Sequence, residues 1–521
     1  MEKLGGVTTG VDRDTSLARL TIEKYPGRER DRQAYRVCGL SPGFEFGVHN
    51  NNLRNLLRGI RERVFAVEIG GKLQSPPRPD ARVFENEMAQ FAAAFDRLSP
   101  PTTPWSTDEF CATYVGRRRT IYEAAAESLI ATPLQRSDAN SSSFLKAEKI
   151  PFGNKPDPAP RLIHPRSPRY NVEVGVYLKK VEHQVYHQVD TIWGQRTVLK
   201  GCNAHKTAGI LRAKWEAFQR PVAIGLDASR FDQHVSVPAL RWEHKRYLSM
   251  FASGERDRLA ELLSWQLDTK CTARCNDGKV KYRVKGMRFS GDMNTSTGNC
   301  LLMSAMVWSF CRSVGISAQL ANNGDDCVLF LDQGDMVRLS QADMTSWFQR
   351  MGFTLKSEDP AFDFEQIEFC QSRPVYDGER WVMVRKHRIA TAKDCLSIKP
   401  LDGPSIFDKW RLSVGNAGVA LTGGLPVQQY FYAALMRGAA GPALEGDLTQ
   451  ETGFMRFAKG MERTAQEPTA AARYSYWLAY GVTPDEQEAL EKEYEAVSIA
   501  WHDPGAVKIR PPDSSPAYSS L

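Results

Sequence analysis

Along the 521 residues the spacing of apolar positions switches between a helical and a strand period, and the switches divide the chain. In "NNNLRNLLRGIRERVFAVE" (50–68), Leu53, Leu56, Leu57, Ile60 and Val64 share one helical face, which predicts an amphipathic helix. "FENEMAQFAAAFDRL" (84–98) predicts a second helix, stopped by "SPPTTPW". A third is predicted over "STDEFCATYVGRRRTIYEAAAESLI", where Ser106 and Glu109 have capping-box spacing. From 222 onward short strands and helices alternate. "VAIGL" is an apolar strand ending at Asp227, and "PALRWEHKRYLSMFA" is a helix with Pro238 in its first turn. Residues 295–315 form a long, mostly buried helix closed by Gly315. "AQLANNGDDCVLFL" reads as strand, turn, strand, and "SQADMTSWFQRMG" as a helix closed by Gly352. "FTLK" and "QIEFCQ" read as short strands, and the chain after 395 is helix-rich. Strands interleaved with helices predict a mixed α/β (α+β) fold.

Composition adds little to that picture. The chain is 42% hydrophobic, ample for a core, and its length suits about three domains. Net charge is +7, from 68 Lys+Arg against 61 Asp+Glu, which permits a polyanionic partner without requiring one. The 10 cysteines are scattered from Cys38 to Cys395. Cys271 and Cys275 have no second pair at zinc spacing, so the thiols point to a reducing, intracellular setting. No apolar run reaches 18 residues, the N-terminus lacks a signal-peptide stretch, and no internal repeat is visible. The Pro- and Ser-rich end, 506–521, is predicted to be a mobile tail.

Candidate chemistry lies in four stretches. Residues 146–170 carry Lys146, Lys149, Lys155, Arg161, Arg166 and Arg169 against Glu148 and Asp157. Repeated prolines rule out a long helix there, and a stiff cationic loop suits phosphate as well as plain solvent. In "GLDASRFDQHV" (225–235), Asp227 ends a strand and Asp232 follows a turn, so both can face one cleft, or either can cap a helix. In "SGDMNTSTGN" (290–299), Thr295 and Asn299 share a helical face that suits a sugar, or an elaborate N-cap. "NNGDDCVLF" (322–330) puts Asp325 and Asp326 at a hairpin tip. Alone it is a polar turn. Beside Asp227 the carboxylates repel, and a hard divalent cation relieves the repulsion.

The joint series, basic loop, D-x(4)-D, S-G-x(4)-T-x(3)-N and G-D-D, resembles the motifs of viral RNA-dependent RNA polymerases, most closely those of tombusvirus-like positive-strand RNA viruses. "DASRFDQHV", "SGDMNTSTGN", "NNGDDCV" and "EFCQSRPVY" look like motifs A, B, C and E, and "PRLIHPRSPRYNVEVGVYL" like motif F. "HNNNLRNLLRGIRERVF" also resembles that group, and the likeness spans about 45–395. The resemblance implies a right-hand fold: an N-terminal extension (1–45), fingers (46–220), a palm of antiparallel sheet and helices (221–395, with a fingers insertion at about 253–288) and a helical thumb (396–505). It implies that Asp227 and Asp325, assisted by Asp326, hold two Mg²⁺ or Mn²⁺ ions for nucleotidyl transfer. Asp232, Thr295 and Asn299 would bind the ribose 2′-hydroxyl, and Lys146, Lys149, Arg161 and Arg166 the triphosphate. Ser290 and Gly291 would position template and nucleotide. Lys356 would protonate pyrophosphate as general acid, and Phe369, Cys370 and Gln371 would shape the nascent-strand site.

The implied partners are single-stranded viral RNA template, nascent RNA, ribonucleoside triphosphates and a membrane-anchored replicase protein. Through them the chain would work in the host-cell cytoplasm at membrane-associated replication complexes, with primer-independent initiation. Two other readings compete. A reverse transcriptase usually has an aromatic and a small residue before its two Asp, where this chain has Asn323–Gly324. A non-catalytic RNA-binding protein explains the basic loop and leaves the carboxylates without a use.

Overall fold

The computed structural model describes residues 1–9, 17–26, 31–37, 40, 46–153, 157–444, 458–502 and 508–509. The fold is mixed α/β with several small sheets. Its centre is an antiparallel four-stranded sheet in the order Ala318–Asn322, Asp326–Asp332, Pro221–Ala228, Leu355–Ser357. Side chains alternate across a strand, and here the alternation feeds two cores. Val222, Ile224, Leu226, Leu329 and Leu331 face one core, built with the helices Pro168–Trp193, Val237–Ser249 and Thr295–Val314. Ala223, Val328 and Phe330 face the other, built with the helix Ala204–Glu216, the hairpin Ser372–Tyr376/Trp381–Arg385 and C-terminal helices. A sheet covered on both faces explains the unbroken apolar run "CVLFL".

Helix Thr295–Val314 starts and stops where its sequence predicts, with Gly315 at φ +71° as left-handed cap. Gly418 in helix Pro404–Thr422 lies against the Tyr432 ring of helix Gln428–Met436, where a Cβ would be 2.1 Å from the ring. With Ala470–Tyr480 and Pro484–Ala496 these make the C-terminal part helical, as expected.

A second sheet, five-stranded, runs Thr21–Lys24, Gly278–Lys285, Asp268–Cys275, Ser141–Leu145, Leu162–Ile163. The hairpin within 253–288 therefore joins the strands that bracket the basic loop. Leu53, Leu56, Ile60 and Val64 pack on this sheet as their spacing predicts, and Leu57 lies at the margin. Lys155 lies outside the described residues.

Several predicted elements divide. The 50–68 helix is α over Leu53–Ile60 and continues as one π-helical turn, Arg61–Phe65. The 84–98 helix breaks at Met88 into Val83–Glu87 and Ala89–Arg97. The capping box at Ser106 forms, but it opens only Thr107–Ala112; Val115 is extended and Gly116 sits at φ +56° before Gly116–Ala131 begins. The 340–352 helix begins only at Met344, because Asp343 leaves the helix to cap Ser346; Ser340 and Gln341 end a separate helix, Met336–Gln341. "QIEFCQ" is not a strand: Phe364–Gln366 is a 3₁₀ turn and Cys370 and Gln371 have φ of 53° and 59°, so the ladder starts at Ser372.

The described strands before residue 46 are woven into the rest. Glu2–Gly5 pairs with Gln33–Arg36, which pairs with Leu396–Ser397, while Thr21–Lys24 edges the five-stranded sheet. Lys508–Ile509 adds a parallel strand to Glu2–Gly5; the rest of 506–521, where the mobile tail is expected, lies outside the described residues. Among the described residues no helix is long and apolar enough to cross a membrane.

Candidate active site

The acidic turn is held from below. Asn322 is fully buried; its amide donates to Cys300 O (3.1 Å) and Ser304 Oγ (2.8 Å) on the long helix and accepts from Gly324 N–H (2.5 Å). Asn323 N–H donates to Asp326 O at 2.9 Å, and Gly324 takes φ +108°, so the chain reverses in two residues. Asp325 is left exposed at the tip. Asp326 begins the next strand and stands directly opposite Asp227, which is exposed and has Lys356 opposite it on its other side. Directly paired residues share a face with Cβ atoms about 4.5–5.5 Å apart.

Asp326 is half-buried, and its Oδ2 accepts the Cys370 N–H at 2.9 Å. Burial, then the negative charges of Asp325 and Glu358, push its carboxyl up to about 6 against that hydrogen bond. Burial, Glu368 and Asp227 raise Glu358 as well. Asn323 Nδ2 lies 3.0 Å from Cys370 Sγ, and burial with Asp326 lifts that thiol to about 12, so it is inert as a nucleophile. Phe369 is in the core, Cys370 is half-buried and Gln371 is exposed, so Gln371 is the member of this trio that faces solvent.

Above the turn runs a buried polar relay. Asn299 Nδ2 donates to Asp232 Oδ1 (2.8 Å), Arg288 Nε donates to Asn299 Oδ1 (3.1 Å), and Arg288 pairs with Glu243, which accepts from Asn294 (2.7 Å). Arg288 and Glu243 have fully buried side chains, and each satisfies the other's charge. Burial raises the Asp232 carboxyl while Asn299 and Arg288 oppose the rise. Arg288 N–H also donates to Asp232 O at 2.9 Å, which fixes the turn after Asp227. Thr295 is beside this relay but its hydroxyl donates to Phe289 O (2.5 Å) and Asp292 O (2.9 Å), leaving its lone pairs for a ligand.

The basic loop divides into residues at the cleft and residues beneath it. Lys146, Arg161, Asp232, Ser290 and Asp325 line one cavity of about 190 Å³. Arg161 is 58% exposed and shares Glu148 with Lys146. Arg166 does not join them, which corrects its assignment as a triphosphate contact. Its side chain is fully buried, paired with Asp292, bonded to Ala139 O and lying over the Phe289 ring. Lys149 is also beneath the loop: it is buried and donates to Lys393 O at 3.1 Å. Ser290 Oγ accepts from His164 N–H (3.2 Å), and Gly291 lies against His164 and Pro165 backbone. These two residues thus seat the basic loop on the segment that leads into the long helix.

Sequence reasoning missed Arg63 and Arg230, which line the same cavity, and Arg288 with Glu243. Burial and the nearby Arg230 and Arg161 charges hold Arg63 down at about 10. Its guanidinium donates to Ala159 O from two nitrogens. The signal for Arg288 was a lone arginine in the apolar stretch "GMRF"; Arg63 had none, since one of several arginines on a helix reads as solvated.

Among the described residues no three His, Cys, Asp or Glu side chains converge as a ready cation site. The donor set nevertheless fits Mg²⁺ or Mn²⁺, which take one or two carboxylates and complete their shell with water and substrate phosphate. Asp227 and Asp325 are exposed hard-oxygen ligands, while one oxygen of Asp326 is committed to Cys370.

A family profile described as viral RNA dependent RNA polymerase matches residues 20–502. The RNA-directed RNA polymerase of Melon necrotic spot virus is 43% identical over 507 residues, 96% of this chain and 63% of that protein. Those of Turnip crinkle virus (41%, covering 94% and 64%) and Maize chlorotic mottle virus (43%, covering 90% and 48%) are similar too. The chain spans between 48% and 64% of the length of these three relatives.

Proposed function

Because the chain belongs to the viral RNA-dependent RNA polymerase family, we propose that it is an RNA-directed RNA polymerase that copies a positive-strand viral RNA genome from ribonucleoside triphosphates. The observation that carries this reading is a single cavity lined by Asp325, the Asn299-bound Asp232, and the cations Lys146 and Arg161, with Asp227 at the adjoining strand end. The three chemical parts of a nucleotide, sugar, phosphate and reacting oxygen, have a complement there.

Two Mg²⁺ or Mn²⁺ ions at Asp227 and Asp325 would supply Lewis acidity at the attacking 3′-hydroxyl and the leaving pyrophosphate. The protein's residues do the rest. Asp232 accepts the ribose 2′-hydroxyl, and Asn299, steadied by Arg288, keeps that carboxylate aimed; Thr295 offers an acceptor beside it. Lys146 and Arg161, with Arg63 and Arg230, orient the triphosphate by charge-assisted hydrogen bonds. Lys149 and Arg166 hold the loop from beneath. Lys356, opposite Asp227, delivers a proton to the leaving group as general acid. Gln371 borders the nascent strand, on the turn that Asp326 pins.

The reading carries a right-hand arrangement: fingers from 46–220 with the 253–288 hairpin, palm 221–395 and thumb 396–505. It also carries primer-independent initiation, a membrane-anchored replicase partner and work at membrane-associated complexes in the host cytoplasm.

The test is incorporation of labelled nucleotide on single-stranded RNA without primer, with and without Mg²⁺, beside Asp325→Ala. Loss of incorporation with RNA binding retained is expected. Normal polymerisation by that variant sinks the mechanism, and preference for deoxynucleotides would transfer the chain to reverse transcription.

A further inference from the structure

The asparagine-rich stretch around the start of helix Leu53–Ile60 touches neither the carboxylates nor the cavity. Its polar side chains bond the N-terminal strap, residues 2–9 with 32–36. Asn50 Nδ2 donates to Gly6 O (3.0 Å) and its Oδ1 accepts Arg32 N–H (2.9 Å). Asn52 Nδ2 donates to Thr8 Oγ1 (2.7 Å). Asn55 accepts Thr9 N–H (2.8 Å) and donates to Val7 O (2.9 Å). Such bonds are specific, because buried amides are costly unless every partner is met.

Two arginines carry this buckle to the basic loop. Arg58, 3% exposed, pairs with Glu62 (3.0 Å), reaches Thr9 Oγ1, and pairs with Asp157, whose carbonyl it also meets at 3.1 Å. Arg32 donates to Leu145 O (2.8 Å) and Lys146 O (3.3 Å), where the loop begins. Loop entry and loop return are thus both tied to the strap. The strap's own strands pair with Leu396–Ser397 on the far side.

We propose that Arg58 and Arg32 are positioning residues that set where the basic loop presents Lys146 and Arg161 to the nucleotide triphosphate. This deepens the polymerase reading and rests on it. Lys146 N–H donates to Arg161 O at 2.9 Å, so the two cations already face each other across the paired arms of the loop; tying those arms to the strap fixes where the pair sits against the phosphates.

The test uses Asp157→Ala, since Asp157 is partly exposed and its loss leaves the Arg58–Glu62 pair intact. Steady-state kinetics on the full chain should show nucleotide KM raised about fivefold, with kcat and template affinity unchanged. Asp157→Glu should restore most of the loss, and Thr9→Val should reproduce it weakly. Hydrogen exchange over 157–163, measured without substrate, should quicken in Asp157→Ala and slow again with inorganic triphosphate. An unchanged KM overturns the proposal, and so does a joint fall of kcat and template affinity, which means general damage. If wild-type protein incorporates no nucleotide, the polymerase reading fails on its own. Exchange over 157–163 then still decides the buckle, and equal exchange in wild type and variant overturns it.

Discussion

Asp227 and Asp326 stand directly opposite one another in the central sheet, yet only Asp227 is free to water; Asp326 is half-buried and bonded to the Cys370 amide. The two carboxylates therefore have different work. Asp227 is available to a cation, whereas Asp326 braces the left-handed Cys370–Gln371 turn. Two consecutive non-glycine residues at positive φ are costly, roughly 1–3 kcal/mol each, and persist only where neighbours hold them.

The first prediction concerns pH. The folded-state Asp326 carboxyl is raised to about 6, above its ordinary value of 3.8. The native state thus binds the proton more tightly than the unfolded chain does. The resulting stability is fully present below pH 3.8 and is lost as pH rises through about 6. Asp326→Asn removes this dependence. In EDTA, the stability of Asp326→Asn relative to wild type should grow between pH 4 and 6, by at most ~3 kcal/mol at ~1.4 kcal/mol per unit. Urea unfolding across that range measures it, and parallel curves would mean that Asp326 is not burdened.

The second concerns the sugar. Asn299→Ala takes the amide from Asp232 and leaves Arg288 Nε without its acceptor. A hydrogen bond to a charged group is worth roughly 1.5–3 kcal/mol, so discrimination against deoxynucleotides should fall about tenfold or more. Paired incorporation of each ribonucleotide and its deoxy counterpart reads this directly. Unchanged selectivity would remove Asn299 and Asp232 from the sugar role.

Much of this was legible in the sequence, and unevenly. The central strands were readable because two-sided burial leaves an apolar run that only a turn can end. The closeness of Asp232 to Asn299, and of Asp227 to the Asp325–Asp326 turn, was legible because the motif order places them on neighbouring elements. Arg166 was misread because a loop rich in cations gives no hint which one turns inward to Asp292. Helix breaks at Met88, Val115 and Asp343 were missed because a continuing apolar period conceals a local cap or extended residue. The N-terminal strands were missed because their sheets are completed from far along the chain: Arg36 pairs with Leu396, and Lys24 with Gly278.

The third prediction separates two arginines of one loop. Arg161→Ala should raise nucleotide KM about tenfold and leave thermal stability nearly unchanged, because the side chain is exposed and only shares Glu148. Arg166→Ala strands Asp292 in the interior, and breaking such a buried pair costs ~3–5 kcal/mol. Its melting temperature should fall before any KM effect is measurable. If Arg161→Ala instead weakens template binding and spares KM, the loop belongs to the template channel.

The last prediction contrasts two glycines that are needed for different reasons. At Gly291 the constraint is space: a Cβ would come within 2.6 Å of both His164 O and Pro165 Cα, which are backbone atoms and cannot rotate away. Gly291→Ala must push the basic loop away from the segment that leads into the long helix, an overpacking cost of ~1–3 kcal/mol, and its kinetic signature should be a raised nucleotide KM. At Gly324 the constraint is conformation: φ is +108°, while the nearest atom to an added methyl would be Lys200 Nζ at 3.7 Å. Gly324→Ala should leave the loop and KM alone and re-aim Asp325, so the loss should fall on kcat. Steady-state kinetics of the two variants under one set of conditions compares them. If both lower kcat alone, the contact between Gly291 and the loop does not govern nucleotide binding.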